Sequence, residues 1–442
     1  MKLSHYILSF LCFAVGALSA AASGLTFSAD DVITIIPDKS TGLDAIYVLK
    51  STAGVEASYT ASNASDRVEW NKFDQTGLTQ APFIWGIDGA RTFITLTDND
   101  MGYMVTEGDR PHYYWVINYA NHRMDVNSLG ISPESDCSYT VLTIDGSAPA
   151  ITYYTINHAP KELDREISIR YQTLQYDESK ESFSQTVATR SVAHLSATLP
   201  LAAPLCDTRF TMSGDRFLRQ WGEEQIVETD YYTATAVDTH TSATQLQREN
   251  DNEVNADAGT LGGSAPVEIN FKAAITDAVQ FTEWQFSSDP EFNTINLRYT
   301  DLDIDYVFED YGTTYVRFKC ANGPGSCEQC SETYTINVSE SKLQCPNAFS
   351  PNGDGVNDLW KVSYKSIVKF ECTIFNRWGV KIIELNDPSE GWDGTYKGKT
   401  VNSGVYYYVI KAVGSDGVKY DLAGDINIIN YSQKNGNTEI TE

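Results

Sequence analysis

The sequence has few basic side chains for its length. Its 442 residues include 32 Lys and Arg against 59 Asp and Glu, and the formal net charge is −27 at pH 7. From Cys345 onward there are 10 basic and 12 acidic residues, a charge of −2, so the preceding 344 residues carry −25. An acidic chain of this kind repels nucleic acid and anionic lipid and stays soluble. A nucleic-acid partner is therefore not expected.

Histidine is also scarce, and its placement offers little to a catalytic site. One of the six histidines, His5, lies in the N-terminal apolar segment. The others stand in neither an H-E-x-x-H nor a G-x-S-x-G context: His112, His122, His158, His194 and His240. We predict no catalytic residue and expect a protein that is not an enzyme. Because carboxylates are abundant, a glycosidase-like pair stays open as an alternative, although most are expected to form a solvated face.

Long hydrophobic runs are missing except at the N-terminus. The run from Tyr6 to Leu18 is too short to span a membrane comfortably, and no other stretch approaches that length. Lys2 precedes the run, and Ala20 and Ala22 supply the small residues of a cleavage site. We predict a cleaved signal peptide over residues 1–22 and no transmembrane helix in the mature chain.

Cysteine is rare, and in an exported chain its residues are expected to form disulfides. Seven candidates follow the signal peptide: Cys137, Cys206, Cys320, Cys327, Cys330, Cys345 and Cys372. The odd number leaves at least one thiol unpaired or linked to another chain. Cys327 and Cys330 form a C-x-x-C pair, but no histidine lies nearby and the spacing is not repeated, which argues against zinc. The pair sits in a Gly-rich loop rather than at a helix start, which argues against redox catalysis.

No window of twelve residues has a convincing helical period. Strand-like alternation recurs instead in DVITIIPD, AIYVLKS, TFITLTD, HYYWVINY, SYTVLTI and EISIRYQTLQY. Turn clusters such as DKSTG, TDNDMG and NGPGS separate these segments. Many short strands with frequent turns predict an all-β chain of tandem immunoglobulin-like or PKD-like β-sandwich domains, with a small C-terminal β-sandwich.

Three pairs of segments suggest an internal repeat because they recur in the same order. They are VEWNKF (68–73) with TEWQF (282–286), YWVINYAN (114–121) with YVRFKCAN (315–322), and CSYTVLTI (137–144) with CSETYTINV (330–338). The order favours duplicated sandwich domains. Trp70 and Trp284 are then expected to be core residues between two sheets.

The second copy, DYVFEDYGTTYVRFKCANG, resembles a PKD-type or related immunoglobulin-like domain. The matching positions are Tyr306, Phe308, Gly312, Tyr315 and Phe318. The resemblance covers residues 265–341. It implies a spacer or adhesion module and brings no catalytic residues.

The polar, Gly-rich stretch QRENDNEVNADAGTLGGSAP reads as a loop or linker and helps to divide the chain. The predicted order is a signal peptide (1–22), an immunoglobulin- or PKD-like sandwich (23–147), a further sandwich (148–230), a strand with a Gly-rich polar linker (231–264), a PKD-like sandwich (265–341), a C-terminal domain (345–434) and a polar tail (435–442).

The last of these domains begins with CPNAFSPNGDGVNDLW and continues through FECTIFNRWGVKIIEL and GWDGTYKGKTVNSGVYYYVIKA. In GVYYYVIKA one face carries Val405, Tyr407 and Val409, and the other carries Tyr406, Tyr408 and Ile410. Both faces are apolar, so we predict a central strand. Trp378 and Trp392 each stand beside a Gly turn, and we expect both indoles to cap the ends of a small core.

This block resembles the gliding-motility-associated C-terminal domain of Bacteroidetes surface proteins, the type B sorting domain of the type IX secretion system. The matching residues include Pro351, Asn352, Gly353, Asp354, Gly355, Asn357, Asp358, Phe375, Asn376, Arg377, Trp378, Gly379, Trp392, Asp393, Gly394, Gly404, Tyr406 and Tyr408. The motifs are long, in order, and spaced as in the family.

The resemblance implies an export route. Family members cross the inner membrane by a signal peptide, and the C-terminal domain takes them to an outer-membrane translocon, often with a PorP/SprF-like partner. They end on the cell surface or outside the cell. The family often ends in a basic residue soon after the last strand. Here Lys434 is followed by a polar, acidic tail, which leaves open whether the domain is removed after transport.

The loop SPNGDGVND also raises the question of calcium. Counted from Asn352 as an EF-hand loop, Asp354 fits the third position, but Val356 takes the fifth and Asn357 the sixth, where Gly is required. We favour a turn in which Asp and Asn side chains bond local backbone amides. Calcium on Asp354, Asn357 and Asp358 is the weaker alternative, and no cofactor is predicted.

The sequence therefore supports three hypotheses. The first is a non-enzymatic exported surface protein of adhesion and spacer sandwiches. The second is an exported hydrolase or glycan-binding protein with the same sorting domain. The third is a component docked permanently on an outer-membrane barrel through that domain.

Overall fold

A computed structural model describes residues 24–79, 85–254 and 260–429. The predicted signal peptide and the polar tail at 435–442 lie outside these ranges. The described residues confirm the all-β prediction: they form 37 strands, one five-residue α-helix and two short 3-10 helices, at Lys39–Thr41 and Tyr119–His122. Four hydrophobic cores organise the strands, and we number four domains accordingly.

The first domain packs a four-stranded sheet, β1-β4-β8-β7, on a six-stranded sheet, β2-β3-β10-β9-β5-β6. Its strands are β1 (Thr26–Phe27), β2 (Val32–Ile35), β3 (Ala45–Leu49), β4 (Glu56–Thr60), β5 (Val68–Asp74), β6 (Gly77–Thr79), β7 (Gly86–Asp88), β8 (Arg91–Thr95), β9 (Met101–Glu107) and β10 (Arg110–Asn118).

The second domain contains the sheets β11-β12-β17 and β16-β15-β18-β19 and the hairpin β13-β14. Its elements are β11 (Asp125–Ile131), β12 (Tyr139–Ser147), β13 (Ile151–Tyr154), β14 (Pro160–Leu163), β15 (Ile167–Asp177), β16 (Ser182–Val192), β17 (Thr198–Ala202), β18 (Thr211–Gly214), α1 (Arg216–Gln220) and β19 (Gln225–Glu228).

The third domain packs the sheet β20-β22-β25 on the sheet β21-β28-β26-β23-β24, with β27 also paired to β26. Its strands are β20 (Thr239–Gln245), β21 (Gly262–Gly263), β22 (Val267–Ile275), β23 (Val279–Ser287), β24 (Leu297–Tyr299), β25 (Asp303–Phe308), β26 (Gly312–Asn322), β27 (Glu328–Cys330) and β28 (Tyr334–Val338).

The fourth domain has a five-stranded sheet, β30-β37-β36-β32-β33, a two-stranded sheet, β29-β31, and the hairpin β34-β35. Its strands are β29 (Lys342–Gln344), β30 (Ala348–Phe349), β31 (Ser363–Lys365), β32 (Ile367–Phe375), β33 (Lys381–Leu385), β34 (Thr395–Tyr396), β35 (Lys399–Thr400), β36 (Gly404–Gly414) and β37 (Lys419–Ile428).

The first two domains share the six-stranded sheet, whose strand β3 is buried on both faces. Every residue of β3 is buried, because its two faces contribute to two different cores. Tyr47 packs in the core of the first domain, whereas Ile46 and Val48 pack in the core of the second. The same division holds in the neighbouring strand β10 for Tyr114 and Trp115. Two strands rich in β-branched and aromatic residues thus join two domains into one packed unit.

Strand pairing moves a domain boundary relative to the sequence prediction. β12 ends at residue 147, inside the first predicted domain, yet it pairs with β17 of the next predicted domain, along the register from Tyr139–Ala202 to Thr143–Thr198. We therefore propose a boundary near residue 124 instead of 147. With this boundary, the third segment of the first repeat copy lies in a different domain from the first two, whereas all three segments of the second copy lie in the third domain.

The predicted linker also contributes to the third domain. β20 falls inside residues 231–264 and pairs along its whole length with β22, from Thr239–Ile275 to Gln245–Ile269. We propose that the third domain begins near residue 235. The expectation for the two tryptophans is confirmed, since Trp70 and Trp284 are both buried in the cores of their domains.

A disulfide between Cys137 and Cys327 links the second and third domains across 190 residues of sequence. It confirms the prediction of a disulfide and assigns two of the seven candidate cysteines. The other five are free thiols in the structure: Cys206, Cys320, Cys330, Cys345 and Cys372. The C-x-x-C pair is therefore split, with Cys327 in the interdomain bond and Cys330 exposed.

Candidate functional site: the signature loops of the fourth domain

The loop 350–358 is closed by one carboxylate. Asp358 Oδ1 accepts hydrogen bonds from the amides of Asn352 (2.9 Å) and Gly353 (2.7 Å), and Oδ2 accepts one from Gly355 (2.8 Å). The amides of Gly353, Gly355 and Asn352 together hold the pKa of Asp358 below its ordinary value. The carboxylate stays charged at neutral pH and orders the loop around itself.

Two glycines make this closure possible. Gly353 and Gly355 have φ values of 79° and 86°, in the left-handed region that other residues rarely adopt. Within the same loop the Asp354 carboxylate accepts the Val356 amide at 2.8 Å. Asn352 Oδ1 accepts the Asp354 amide at 3.0 Å. These are the contacts of the turn that the sequence analysis favours.

The weaker alternative, calcium on Asp354, Asn357 and Asp358, stays a prediction. In the described ranges no group of three or more His, Cys, Asp or Glu side chains is placed to hold a metal ion. Two of the three proposed ligands, Asp354 and Asp358, already accept backbone amides.

Two tryptophans, Trp360 and Trp392, hold the loops around them against the core of the fourth domain. Trp360 and Trp392 exchange backbone hydrogen bonds at 2.9 and 3.0 Å, and both side chains are fully buried. The Trp360 indole donates to the Pro346 carbonyl (2.8 Å), and the Trp392 indole donates to the Thr395 carbonyl (2.9 Å). Trp392 therefore caps the core as expected, and Trp360 is a second anchor that the sequence analysis did not single out.

Trp378, in contrast, does not cap the core. Its side chain is 75% exposed, and the Arg377 guanidinium lies over the ring, 4.8 Å from its centroid. The Asn376 side chain accepts the amides of Trp378 (2.9 Å) and Val380 (3.0 Å), and the tight turn that results carries the indole outward. The prediction was wrong because a turn residue is placed by the turn's own hydrogen bonds.

Strand β36 is central, as predicted, since it pairs with both β32 and β37. The two apolar faces of β36 differ in burial. Tyr406 and Ile410 are buried, but Val405, Tyr407 and Val409 are each more than 40% exposed. This face of the five-stranded sheet presents apolar side chains to solvent, an arrangement that often marks an interaction site.

A wide cleft of about 600 Å³ bears on the hydrolase hypothesis. It lies between the tip of the β15–β16 hairpin and the sheet of β22, and four carboxylates line it: Glu178, Glu181, Asp277 and Asp303. The Tyr176 and His240 rings also line it, but they stack on each other at 3.6 Å. Those two faces are thus engaged with one another instead of being open to a sugar ring.

None of the described segments forms a helix long and apolar enough to cross a membrane.

Comparison with family models finds two matches. Residues 343–428 match the CHU_C type IX secretion signal domain, and residues 130–229 match a fibronectin type III domain. The first match confirms the resemblance drawn from the signature motifs and implies export to the cell surface by the type IX machinery. The second begins before residue 147 and agrees with the boundary proposed from strand pairing. The PKD resemblance of residues 265–341 stays a prediction.

Among solved structures, similar chains include a tetra-tandem repeat from the extending region of a large adhesion protein, with 11% identity, 92% of this chain and 100% of that chain covered, and a TM-score of 0.22. They also include the chicken CNTN1 FN1–FN3 domains, with 11% identity, 68% and 97% coverage, and a TM-score of 0.23. Such low scores carry no argument about function. No curated protein matches the chain.

Proposed function

We propose that this protein is a non-enzymatic surface protein whose first three domains act as adhesion and spacer modules. The match of residues 343–428 to a type IX secretion signal domain is the observation that carries the proposal. Fibronectin- and immunoglobulin-like sandwiches serve many functions on one fold, so the fold itself sets no chemistry. The absence of a predicted triad or metal motif from the sequence supports a binding or spacing role.

The packing of the first three domains supports a spacer role. Strand β3, in the sheet shared by the first and second domains, is buried on both faces, and the Cys137–Cys327 disulfide ties the second domain to the third. Interfaces between domains that are large and apolar restrict relative motion. A chain braced in this way would hold its outermost domain at a fixed distance from the cell.

We propose that the fourth domain engages the type IX translocon and a PorP/SprF-like outer-membrane protein. The exposed apolar face of β36 and the exposed Trp378 support this, because an aromatic residue with neighbouring aliphatic side chains is typical of a protein interface. The domain also carries little net charge compared with the strongly acidic domains before it. An anionic partner surface would thus repel it less.

Deletion of residues 343–442 tests the proposal. Cells that produce the truncated chain are compared with cells that produce the full chain, by protease accessibility on intact cells and by fractionation. We expect the truncated protein to accumulate in the periplasm and to be protected from added protease. Unchanged surface display would contradict the proposal.

The adhesion role needs a separate test on displayed protein. Cells with and without the full chain are compared for attachment to surfaces and for hydrolysis of polysaccharides. We expect a difference in attachment alone. A polysaccharide hydrolase activity that disappears with the chain would support the hydrolase hypothesis instead.

A further inference from the structure

The small sheet β29-β31 of the fourth domain has an occupied outer edge. The Tyr364 amide donates to the Asn252 carbonyl at 3.0 Å, and the Val254 amide donates to the Tyr364 carbonyl at 2.8 Å. Glu253 consequently forms a parallel bridge with Tyr364. We call Arg248–Val254 the anchor segment. It lies between β20 and β21 of the third domain, about 110 residues before its partner strand.

Side chains reinforce the backbone pairing. The Asn252 amide group donates to the carbonyls of Val362 (2.7 Å) and Pro388 (2.8 Å), so one side chain joins two loops of the fourth domain. Lys361 forms an ion pair with Asp251 at 2.7 Å. These contacts specify which residues of the anchor segment meet which residues of the fourth domain.

A buried carboxylate lies at the centre of the contact. The Glu253 side chain is only 2% exposed and pairs with Arg248 at 2.6 Å. Its other oxygen accepts hydrogen bonds from Asn250 (3.0 Å) and from the Tyr364 hydroxyl (3.2 Å). Removing a single partner would leave the Glu253 charge buried and incompletely paired, which is costly. The network is therefore expected to form or break as a unit.

A second set of contacts lies beside the first. The Ser366 amide donates to Ser264 Oγ at 2.7 Å, and the Ala265 amide donates to Ser366 Oγ at 3.1 Å, with Ser366 fully buried. Farther along, the Tyr311 amide donates to the Ser415 carbonyl at 3.0 Å. None of these contacts runs through residues 339–341, which connect β28 to β29.

We infer that the anchor segment completes the second sheet of the fourth domain and holds this domain on the third domain independently of the covalent connection. The mode is β-strand addition, in which main-chain hydrogen bonds give affinity and side chains give the register. A cut between β28 and β29 would therefore leave the sorting domain bound. This contact between the third and fourth domains can be tested without any assumption about the export route.

The test uses the full-length chain with a specific protease site inserted after the exposed Glu340. After complete cleavage, shown on a denaturing gel, the sample is run on size exclusion in native buffer. We expect the fourth domain to co-elute with the rest of the chain. Elution of the two fragments as separate peaks would overturn the inference.

A matched pair of variants assigns the effect to the anchor segment. Val254→Pro removes the amide that donates to Tyr364, whereas Val254→Ala keeps it, and Val254 itself is half exposed. In the cleaved protein we expect Val254→Pro to raise the dissociation constant between the fragments about tenfold, and Val254→Ala to leave it unchanged. Equal dissociation constants would overturn the role of the segment.

Asn252→Ala serves as a second probe that leaves the backbone untouched. It removes both donors to Val362 and Pro388, and we expect it to weaken fragment association to a similar degree. Thermal unfolding of each uncut variant shows whether its domains are folded. A folded Asn252→Ala chain with unchanged fragment affinity would contradict the inference.

Discussion

The Asp215 carboxylate lies 2.6 Å from the Arg165 guanidinium, and both side chains are completely buried. Asp215 also accepts the Tyr119 hydroxyl at 3.0 Å, and its other oxygen caps α1 by accepting the amides of Phe217 and Leu218. Tyr119 follows the last strand of the first domain, so its hydroxyl connects this ion pair of the second domain to the sheet that the two domains share.

We expect Asp215→Ala to destabilise the unit of the first two domains strongly. The change leaves the Arg165 charge buried without its partner, which costs about 3–5 kcal/mol of unfolding free energy. Urea unfolding followed by tryptophan fluorescence measures the loss. Arg298→Ala, at the exposed ion pair with Glu283, is the control and should cost less than about 1 kcal/mol. Similar losses for the two variants would contradict this account of the junction.

Acid should weaken the first domain through Glu107. Burial acts to raise the pKa of this carboxyl, but hydrogen bonds from Ser62, Tyr59 and Asn63 outweigh it and lower the pKa to about 2. Because the folded pKa lies below the ordinary value of about 4.5, the stabilisation is complete above pH 4.5 and is lost as the pH falls towards 2. The shift corresponds to about 3 kcal/mol.

The check is the pH dependence of unfolding for the unmodified chain and for Glu107→Gln. We expect the variant to be less stable at pH 7 and to show a flatter profile between pH of about 4.5 and 2. Glu332→Gln changes an exposed carboxylate and should leave the profile as it is. A Glu107→Gln profile parallel to that of the unmodified chain would show that this group carries no stability.

Reduction should loosen the junction of the second and third domains. Peptide mapping without reductant should recover Cys137 joined to Cys327. Cys137→Ser should lower the unfolding free energy by about 2–4 kcal/mol, the usual contribution of a disulfide. Cys330→Ser changes an exposed free thiol and is the control. Recovery of Cys327 joined to Cys330 instead would refute the interdomain bond.

A point mutation can test whether the loop 350–358 contributes to targeting. Asp358→Ala removes the acceptor of three backbone amides, so we expect the loop to open and surface display to fall several-fold. Val356→Ser changes an exposed side chain of the same loop and keeps the amides paired. Surface labelling of intact cells compares the two. Equal display for both variants would mean that the closed loop does not contribute to recognition.

Strands and cores could be predicted from the sequence, because alternation and β-branched or aromatic content are local signals. Trp70, Trp284 and Trp392 lie in cores as predicted, and β36 is central as predicted. The exposed face of β36 could not be predicted, since an apolar strand face gives no indication of whether another layer covers it. Burial depends on the whole sandwich.

Relationships across the chain were equally hidden from the sequence. The partner of Cys137 lies 190 residues away, and seven cysteines allow many pairings. The anchor segment has the composition of a polar linker. Its Asn and Glu side chains find their hydrogen-bond partners in the fourth domain, far along the chain, so their structural role could not be predicted. The exposure of Trp378 likewise depends on loop geometry, because the hydrogen bonds of its turn direct the ring to solvent.

The central claim is that the fourth domain directs export, and transplantation tests it most directly. A reporter that normally stays in the periplasm is fused to residues 231–442, which include the anchor segment, and its accessibility to added protease is measured on intact cells. A fusion that ends at residue 342 is the matched control. The account predicts that only the complete fusion reaches the surface. A complete fusion that stays in the periplasm, in cells that display the unmodified protein, would contradict it.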